Sequence, residues 1–457
     1  MAALLFSCAL VEGAQEERAI EVDFAKPAGV IRPLNGVNGG PIVTRGAFDL
    51  SPQFAELGIQ HIRLHDIPWT YEDAVDIDCV FPRFDADPDD PKSYNFATTD
   101  YYVKTILPLG AEMTFRLGYS AEWPFHPPIH KAPPKDFKKW AAVCTRIVRH
   151  YTQGWADGYK YKIREWEIWN EPDIPSFWSG TPEEFYQLYE MTAKAVKALD
   201  PATLKVGGPA LAGTHKFLEG LLKHCQETKT PVDFVSWHRY ARNPFDLATE
   251  AATVQALMDK YGFSKADNIL NEWNYFPGDW DRQLKEPEYR RDLFANQMGG
   301  APGAAYDAAA LVYLQDSSVD IADFYQGTTM FWGGLFDEFG VPRKPYYTFK
   351  AFKILLETPE RAATSGSDQS GFAVLAGMSK DQATANILIS NFGATSNHYK
   401  IALRGLPEGK TYDCEWYAVD GSRDLGLVKS EKLKPGPVTI SGDVETPSVC
   451  LIRLRAR

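Results

Sequence analysis

The chain has 457 residues, 44% hydrophobic and 24% charged, a composition that suits one large folded domain with a smaller one attached. A net charge of −12 without any basic block argues against a nucleic-acid partner, since phosphate contacts are made by Lys and Arg. Beyond the N-terminus no apolar run approaches the roughly 18 residues that a membrane span needs.

Residues 1–17 begin with the apolar run MAALLFSCALV, which has the character of a secretory-signal core but no basic residues before it. They are read as a signal remnant or an unstructured start. That reading predicts a secreted or periplasmic protein, with a cytoplasmic one as the alternative. Cys8, Cys79, Cys144, Cys225, Cys414 and Cys450 form no CxxC pair, so a zinc ribbon is excluded and disulfide pairing stays open.

Residues 19–23 (AIEVD) read as a strand, and the segment 18–29 is expected to join a sheet built by the far end of the chain. A strand follows from about residue 30 to Asn38 and stops at Gly39 and Gly40, where the backbone can approach its neighbours closely. Residues 60–65 (QHIRLH) form the next. The acidic loop 85–90 (DADPDD) lacks the glycine and glutamate of an EF-hand and is read as solvated. Helical spacing appears over 96–107, a strand over 112–119 (EMTFRLGY), and helical spacing again over 135–152. Residues 162–170 supply a strand. Thr181 then caps a helix with Pro182 at its first position and acids in its first turn, running to about 199. Strands at 205–209, 233–240 and 268–274, a helix at 245–261, a last strand at 327–332 and a closing helix at 346–356 complete the series.

Eight strands alternating with helices over 30–360 predict an α/β fold, a (β/α)8 TIM barrel, whose active site lies at the strand C-termini. Asn38, His65, Tyr119, Glu171, His238, Glu272 and Trp332 collect there. Residues 361–457 show short strands, turns and no convincing helix, which predicts a C-terminal antiparallel β-sandwich.

Two of these strand ends carry acids. Pro172 cannot donate to a ladder and biases Glu171 away from helix, so Glu171 stands at the lip of its strand. Glu272 repeats the pattern in ILNEWN. Carboxylates at the ends of two separate strands suggest a glycosidase pair. Glu165 and Glu167 share a side with Glu171 by strand alternation, but their place inside the strand suits a structural ion pair. His61 and His65 lack a third ligand, so neither metal nor cofactor is expected. Arg116 and Arg239 serve buried ion pairs or read a substrate carboxylate or sulfate. Trp178 and Trp273 suit either sugar stacking or the core.

The motifs WNEPDIPSFW (169–178), KVGGP (205–209), VSWHRY (235–240) and NEWN (271–274), in this order, resemble glycoside hydrolase family 39. That family includes β-xylosidases and α-L-iduronidases and belongs to a clan of retaining TIM-barrel glycosidases. GVNGGP (36–41), YNF (94–96) and FAVLA (372–376) extend the likeness over nearly the whole chain. The resemblance implies a retaining, β-xylosidase-like hydrolase acting on a terminal bond of an oligosaccharide or glycoside. It makes Glu171 the acid/base, Glu272 the nucleophile and Asn170 the contact for the sugar 2-hydroxyl. His238 and Tyr240 become the pair near the nucleophile, Arg63 its cationic neighbour and Trp332 a platform. His65, Trp178 and Trp273 complete the expected substrate contacts.

Asn271, where xylosidases of the family carry Thr, and Arg239 inside the His-x-Tyr stretch depart from the pattern. They keep β-glucosides, β-galactosides and anionic sugars such as α-L-iduronides open. A catalytically silent carbohydrate-binding protein and an inverting glycosidase are the rival readings. Retention requires carboxyl groups about 5 to 5.5 Å apart, inversion about 6.5 to 9.5 Å.

Overall fold

A computed structural model of the chain describes residues 17–43, 48–65, 74–119, 131–328, 332–393 and 396–457. The expectations placed on residues 1–16, Cys8 included, lie outside the described residues. The chain opens with β1 (Arg18–Val30), then β2 (Gly36–Asn38), a small hairpin of β3 (Ile42–Val43) and β4 (Phe48–Asp49), α1 (Ser51–Leu57) and β5 (His61–Leu64). It continues through α2 (Ile77–Val80), α3 (Ala97–Ile106), β6 (Glu112–Leu117), α4 (Phe137–Gln153), β7 (Glu165–Ile168), α5 (Pro182–Lys197), β8 (Lys205–Leu211) and α6 (His215–Thr228). Then come β9 (Phe234–Ala241), α7 (Asp246–Lys260), β10 (Asp267–Tyr275), α8 (Trp280–Lys285), α9 (Pro287–Asp292), α10 (Ala301–Tyr313), β11 (Ile321–Phe324) and α11 (Lys344–Leu355). Strands β2 and β5 to β11 close a barrel in the order β10-β11-β2-β5-β6-β7-β8-β9, with parallel pairing throughout.

Local signals explain these elements. Thr181 and Glu184 form both halves of a capping box, which satisfies donors at the start of α5 that the helix itself cannot. In α4, Trp140, Val143, Cys144, Ile147, Val148 and Tyr151 recur at helical spacing and are all buried against the barrel. At the foot of the barrel, His61 Nδ1 lies 2.7 Å from Asp323 and Lys205 lies 3.8 Å from Glu165. Burial pushes the His61 imidazole down, but the Asp323 carboxylate outweighs it and raises the pKa.

The expected last strand at 327–332 is displaced. The chain enters the barrel earlier, at Ile321–Phe324, and residues 327–328 and 332 belong to the segment beyond its C-terminal end. Four residues with an acid among them give a weak strand signal, whereas the later apolar run gives a strong one.

The far end of the chain forms β12 (Glu360–Ser365), β13 (Phe372–Met378), β14 (Thr384–Asn391), β15 (His398–Arg404), β16 (Tyr412–Val419), β17 (Asp424–Leu433), β18 (Val438–Asp443) and β19 (Ser448–Ala456). With β1 they make one nine-stranded sheet ordered β17-β16-β19-β14-β13-β12-β1-β15-β18. Its pairing is antiparallel except between β1 and β15, which run parallel. Alternate residues of these strands, among them Val22, Phe372, Ile387, Tyr399, Trp416, Ile440 and Ile452, share one core, so the sheet curls back on itself. Its other face meets the barrel: Ser390 Oγ donates to Ala305 O on α10 at 2.6 Å, and Asn386 Nδ2 to Ile354 O on α11 at 2.9 Å. No helix among the described residues is long and apolar enough to cross a membrane.

Within α10, Asp307 is fully buried and neither carboxyl oxygen has a hydrogen-bond partner among the described residues. Burial alone holds its pKa well above the ordinary carboxylate range. A folded state that keeps a proton which the unfolded chain has released loses stability as pH rises through that window. Asp307→Ala, in a helix already rich in alanine, is therefore expected to gain about 1 kcal/mol at neutral pH. Thermal melts from pH 4 to 8 should show the gap over wild type widening with pH; a destabilised variant would reveal a partner for the carboxyl.

Candidate active site

The end of β7 is bent into place by its neighbours. Trp169 and Glu171 both have left-handed backbones, φ +73° and +47°, which few non-glycine residues adopt. The Glu171 N–H donates to Ala210 O at 2.9 Å and the Trp169 N–H to Leu117 O at 2.9 Å, so adjacent strands hold the turn. Gly118 makes room for it, because a Cβ there would stand 2.9 Å from Trp169 Cα. Such strained conformations persist where the surroundings over-determine them. On β10 the register against β9 shifts between Leu270 and Glu272. This irregularity lets consecutive side chains, Asn271 and Glu272, both reach the barrel interior.

Arg63 of β5 joins these strands. Its guanidinium is wholly buried and donates to Glu167 Oε2 at 2.7 Å, Glu272 Oε1 at 2.7 Å, Asn170 Oδ1 at 2.8 Å and Asn38 Oδ1 at 3.1 Å. Glu167 Oε1 in turn accepts from Ser236 Oγ at 2.6 Å and Asn271 Nδ2 at 2.5 Å, while Asn38 Nδ2 donates to Asn271 O at 2.6 Å. A charge without access to water is tolerated only when paired and hydrogen-bonded, and here one cation serves two carboxylates. Glu167 thus takes the ion-pair role that its place inside the strand suggested.

Glu171 and Glu272 face each other. The nearest ligating atoms of Glu171, His238 and Glu272 lie within 4.8 Å of one another, and the two acids are 14% and 6% exposed. His238 Nδ1 is 2.8 Å from Glu171 Oε1 and 3.4 Å from Glu272 Oε2. The Tyr240 hydroxyl donates to Glu272 Oε2 at 2.7 Å, and His65 Nε2 approaches Oε1 at 3.3 Å. Burial, helped by the Asp173 carboxylate, pushes Glu171 up to about 8 against the pull of Arg63. Burial takes His238 down to about 4 despite the Glu272 charge, and burial with Arg63 takes His65 well below its usual value. Both imidazoles are neutral at pH 7. Glu171, Glu272 and His238 could in geometric terms grip a cation, yet Arg63 already sets a positive charge against Glu272.

Tyr240→Phe removes a hydroxyl donor from an ionised carboxylate, an interaction worth about 1.5–3 kcal/mol. Steady-state kinetics of the variant on an activated aryl glycoside should show kcat/KM lowered roughly 10- to 100-fold. An unchanged value would mean that Tyr240 does nothing for Glu272.

Trp332 lies beside this group, its ring 5.7 Å from Tyr240, with Tyr325, Phe276, Trp280 and Phe294 around it. Trp178 and Trp273 do not join the site. Trp178 is buried against Trp169 with its Nε1 donating to Thr181 O at 2.9 Å. Trp273, on the outer side of β10, packs on Phe324 and Phe349. Both take the core alternative. His61 and His65 part company, the first at the barrel foot and the second at the mouth. Arg116 pairs with Asp76 at 2.6 Å. Arg239 alternates away from His238 and Tyr240, and its Nε is buried without a hydrogen-bond partner among the described residues. Tyr325 and Trp280 were not anticipated. Tyr325 directly follows the true last strand, so correct placement of β11 would have revealed it.

A closed parallel barrel with two facing carboxylates at its C-terminal mouth is the arrangement found in glycoside hydrolases. Residues 46–359 match the sequence model of the glycosyl hydrolases family 39, and the chain belongs to that family. It is 28% identical over 335 residues to a β-xylosidase of Caldicellulosiruptor saccharolyticus, covering 66% of this chain and 62% of the relative. A β-xylosidase of Geobacillus stearothermophilus is 29% identical over 248 residues, covering 48% and 47%. The chain thus spans less than two thirds of the length of these relatives. The crystal structure of a glucosidase from Croceicoccus marinus superposes with a TM-score of 0.79 at 29% identity, over 96% of this chain and 99% of that one. A GH39 enzyme from Xanthomonas axonopodis pv. citri shares the fold, with a TM-score of 0.74 at 19% identity over 98% and 99%.

Proposed function

We propose that the chain is a retaining glycoside hydrolase that cleaves a terminal, neutral β-glycoside, a β-xyloside first and a β-glucoside second. The observation that carries the reading is the closeness of the two carboxyls: atoms within 4.8 Å suit retention and fall short of the about 6.5–9.5 Å that an inverting enzyme opens for water. Glu272, ionised beside Arg63, attacks the anomeric carbon. As that bond forms, the bond to the leaving oxygen breaks and the oxygen takes the proton of Glu171. Esterification then removes the Glu272 charge. Glu171, now a carboxylate, accepts a proton from water, whose oxygen attacks the anomeric carbon and releases Glu272. With Asn170 Oδ1 held by Arg63, its amide N–H groups are left for the sugar 2-hydroxyl.

The similarity to β-xylosidases and to a glucosidase supports a neutral sugar. So does the engagement of Arg116 with Asp76 and the position of Arg239 away from the acid pair. The test is a panel of aryl β-xyloside, β-glucoside, β-galactoside and α-L-iduronide, with the first-formed product anomer followed by NMR. Cleavage of the xyloside or glucoside with the β-anomer appearing first supports the proposal; an α-anomer, or preference for the iduronide, refutes it.

A further inference from the structure

Asp173, two residues after Glu171, directs its side chain to the neighbouring loop. Its Oδ1 accepts from the Ala212 N–H at 2.9 Å, and its Oδ2 accepts from the N–H groups of Gly213 at 3.2 Å and Thr214 at 2.9 Å. These three successive residues lead into α6, and Gly213 has φ +135°, a backbone that residues with side chains rarely adopt. Converging N–H groups make a concave seat for an anion, and such charge-assisted bonds are roughly twice as strong as neutral ones. The same stretch takes the Glu171 N–H on Ala210 O at 2.9 Å, and the Ala210 N–H is itself fixed by Ser236 Oγ at 2.9 Å. Residues 210–214 therefore grip the acid-bearing turn twice, once at Glu171 and once just past it.

An Asp on backbone N–H groups is an ordinary loop device. The place of this one gives it a part in the reaction. Glu171 has a left-handed backbone, φ +47°, which persists only while its surroundings enforce it. A proton donor acts within hydrogen-bond reach of the leaving oxygen, and a displacement of about 1 Å can cost on the order of 10²-fold in rate. We infer that Asp173 is the positioning residue of the proton donor: it clamps the turn after β7 to the entrance of α6 and so fixes where Glu171 delivers its proton. This rests on the reading of Glu171 as the acid/base. Charge acts in the same sense. The charged and titratable groups around Glu171 include Arg63 of β5, His238 of β9, Glu272 of β10 and, on its own loop, Asp173, whose carboxylate adds to burial in keeping the Glu171 proton in place.

The experiment is a double-mutant cycle. Asp173→Ala and Asp173→Asn are made in wild type and in Glu171→Gln, and melts first confirm that each protein is folded. The phenyl and dinitrophenyl β-glycosides of the sugar that wild type cleaves best are compared by kcat/KM; only the phenyl group needs a proton to depart. Asp173→Ala is expected to lower kcat/KM about 10- to 100-fold on the phenyl glycoside and by less than about threefold on the dinitrophenyl one. In Glu171→Gln, where no proton is left to place, the same substitution should change either value by less than about twofold. Asp173→Asn keeps an acceptor oxygen and the side-chain volume, and it carries the same comparison, with a smaller loss, if Asp173→Ala fails to fold. With the negative charge gone, the alkaline limb of its pH profile should move to lower pH. Equal losses on the two glycosides, or a loss that persists in Glu171→Gln, would mean that Asp173 only supports the loop. No loss on the phenyl glycoside would mean that the clamp is idle. Each overturns the inference, while wild-type turnover keeps the glycosidase reading intact. Wild type that cleaves no glycoside defeats that reading itself, and the inference falls with it.

Discussion

Glu272→Gln is expected to yield a folded protein whose turnover of an aryl β-xyloside falls by roughly 10⁴-fold or more, because an amide cannot form the glycosyl ester. Folding should survive. The Gln oxygen still accepts from Arg63, its amide N–H donates to the Tyr240 hydroxyl oxygen, and Arg63 keeps its ion pair with Glu167. The shorter variant Glu272→Gly vacates the space beside the anomeric carbon. Azide can then take it and return part of the activity as a glycosyl azide of inverted configuration. Aryl release with and without azide checks both points, and wild-type rates in Glu272→Gln would take that residue out of the scheme.

Glu171→Gln is expected to lower turnover by about 10²–10⁴ on a substrate with a poor leaving group, the usual scale of general acid–base assistance. With a dinitrophenyl glycoside, which departs without a proton, the loss in the first step should be far smaller. The pH profile supplies a second reading. Glu171 donates only while protonated, so wild-type kcat/KM should fall on the alkaline side as pH passes about 8. The Gln variant should lack that limb. Stability moves the other way. Between the ordinary value of 4.5 and about 8 the folded protein holds a proton that the unfolded chain has already released, so wild type weakens as pH climbs through that interval. Glu171→Gln removes this loss and should melt higher than wild type at pH 8, the familiar exchange of stability for function at an active site. A lower melting temperature would count against the burial that is taken to raise Glu171.

Much of the barrel was legible because its signals are local. Helix α4 was expected over 135–152 and runs Phe137–Gln153, since apolar spacing and flanking turns set such limits without help from the rest of the chain. The strand stop ahead of Glu171 and the strand that carries Glu272 were legible for the same reason, a Pro after the first and a short apolar run before the second, although β10 continues to Tyr275, beyond Glu272. What could not be read is set by distant pairings. The Arg63 partners Glu167 and Asn170 lie more than a hundred residues away and no spacing rule links them; its place beside Glu272 came from the family resemblance, not from spacing. Ile321–Phe324 is a strand only because its neighbours supply hydrogen bonds on both edges. Trp178 and Trp273 show the limit of residue type alone: an aromatic in a segment that also carries a site acid can face the sugar or the core, and packing decides, with strand alternation for Trp273. Segment 18–29 is expected to join the far-end sheet, yet the choice of β15 as partner and the parallel direction leave no trace in either segment.

That match also orders events during synthesis. β1 is made before every other strand described, yet the strands on its two sides, β12 and β15, are made after the whole barrel. Its apolar residues Ile20 and Val22 therefore wait, without cover, for some 340 further residues to appear. Domains usually assemble in the order in which they emerge. Here the earliest of the described strands is among the last to find its place, and a nascent chain halted anywhere within the barrel leaves that strand sticky and uncovered.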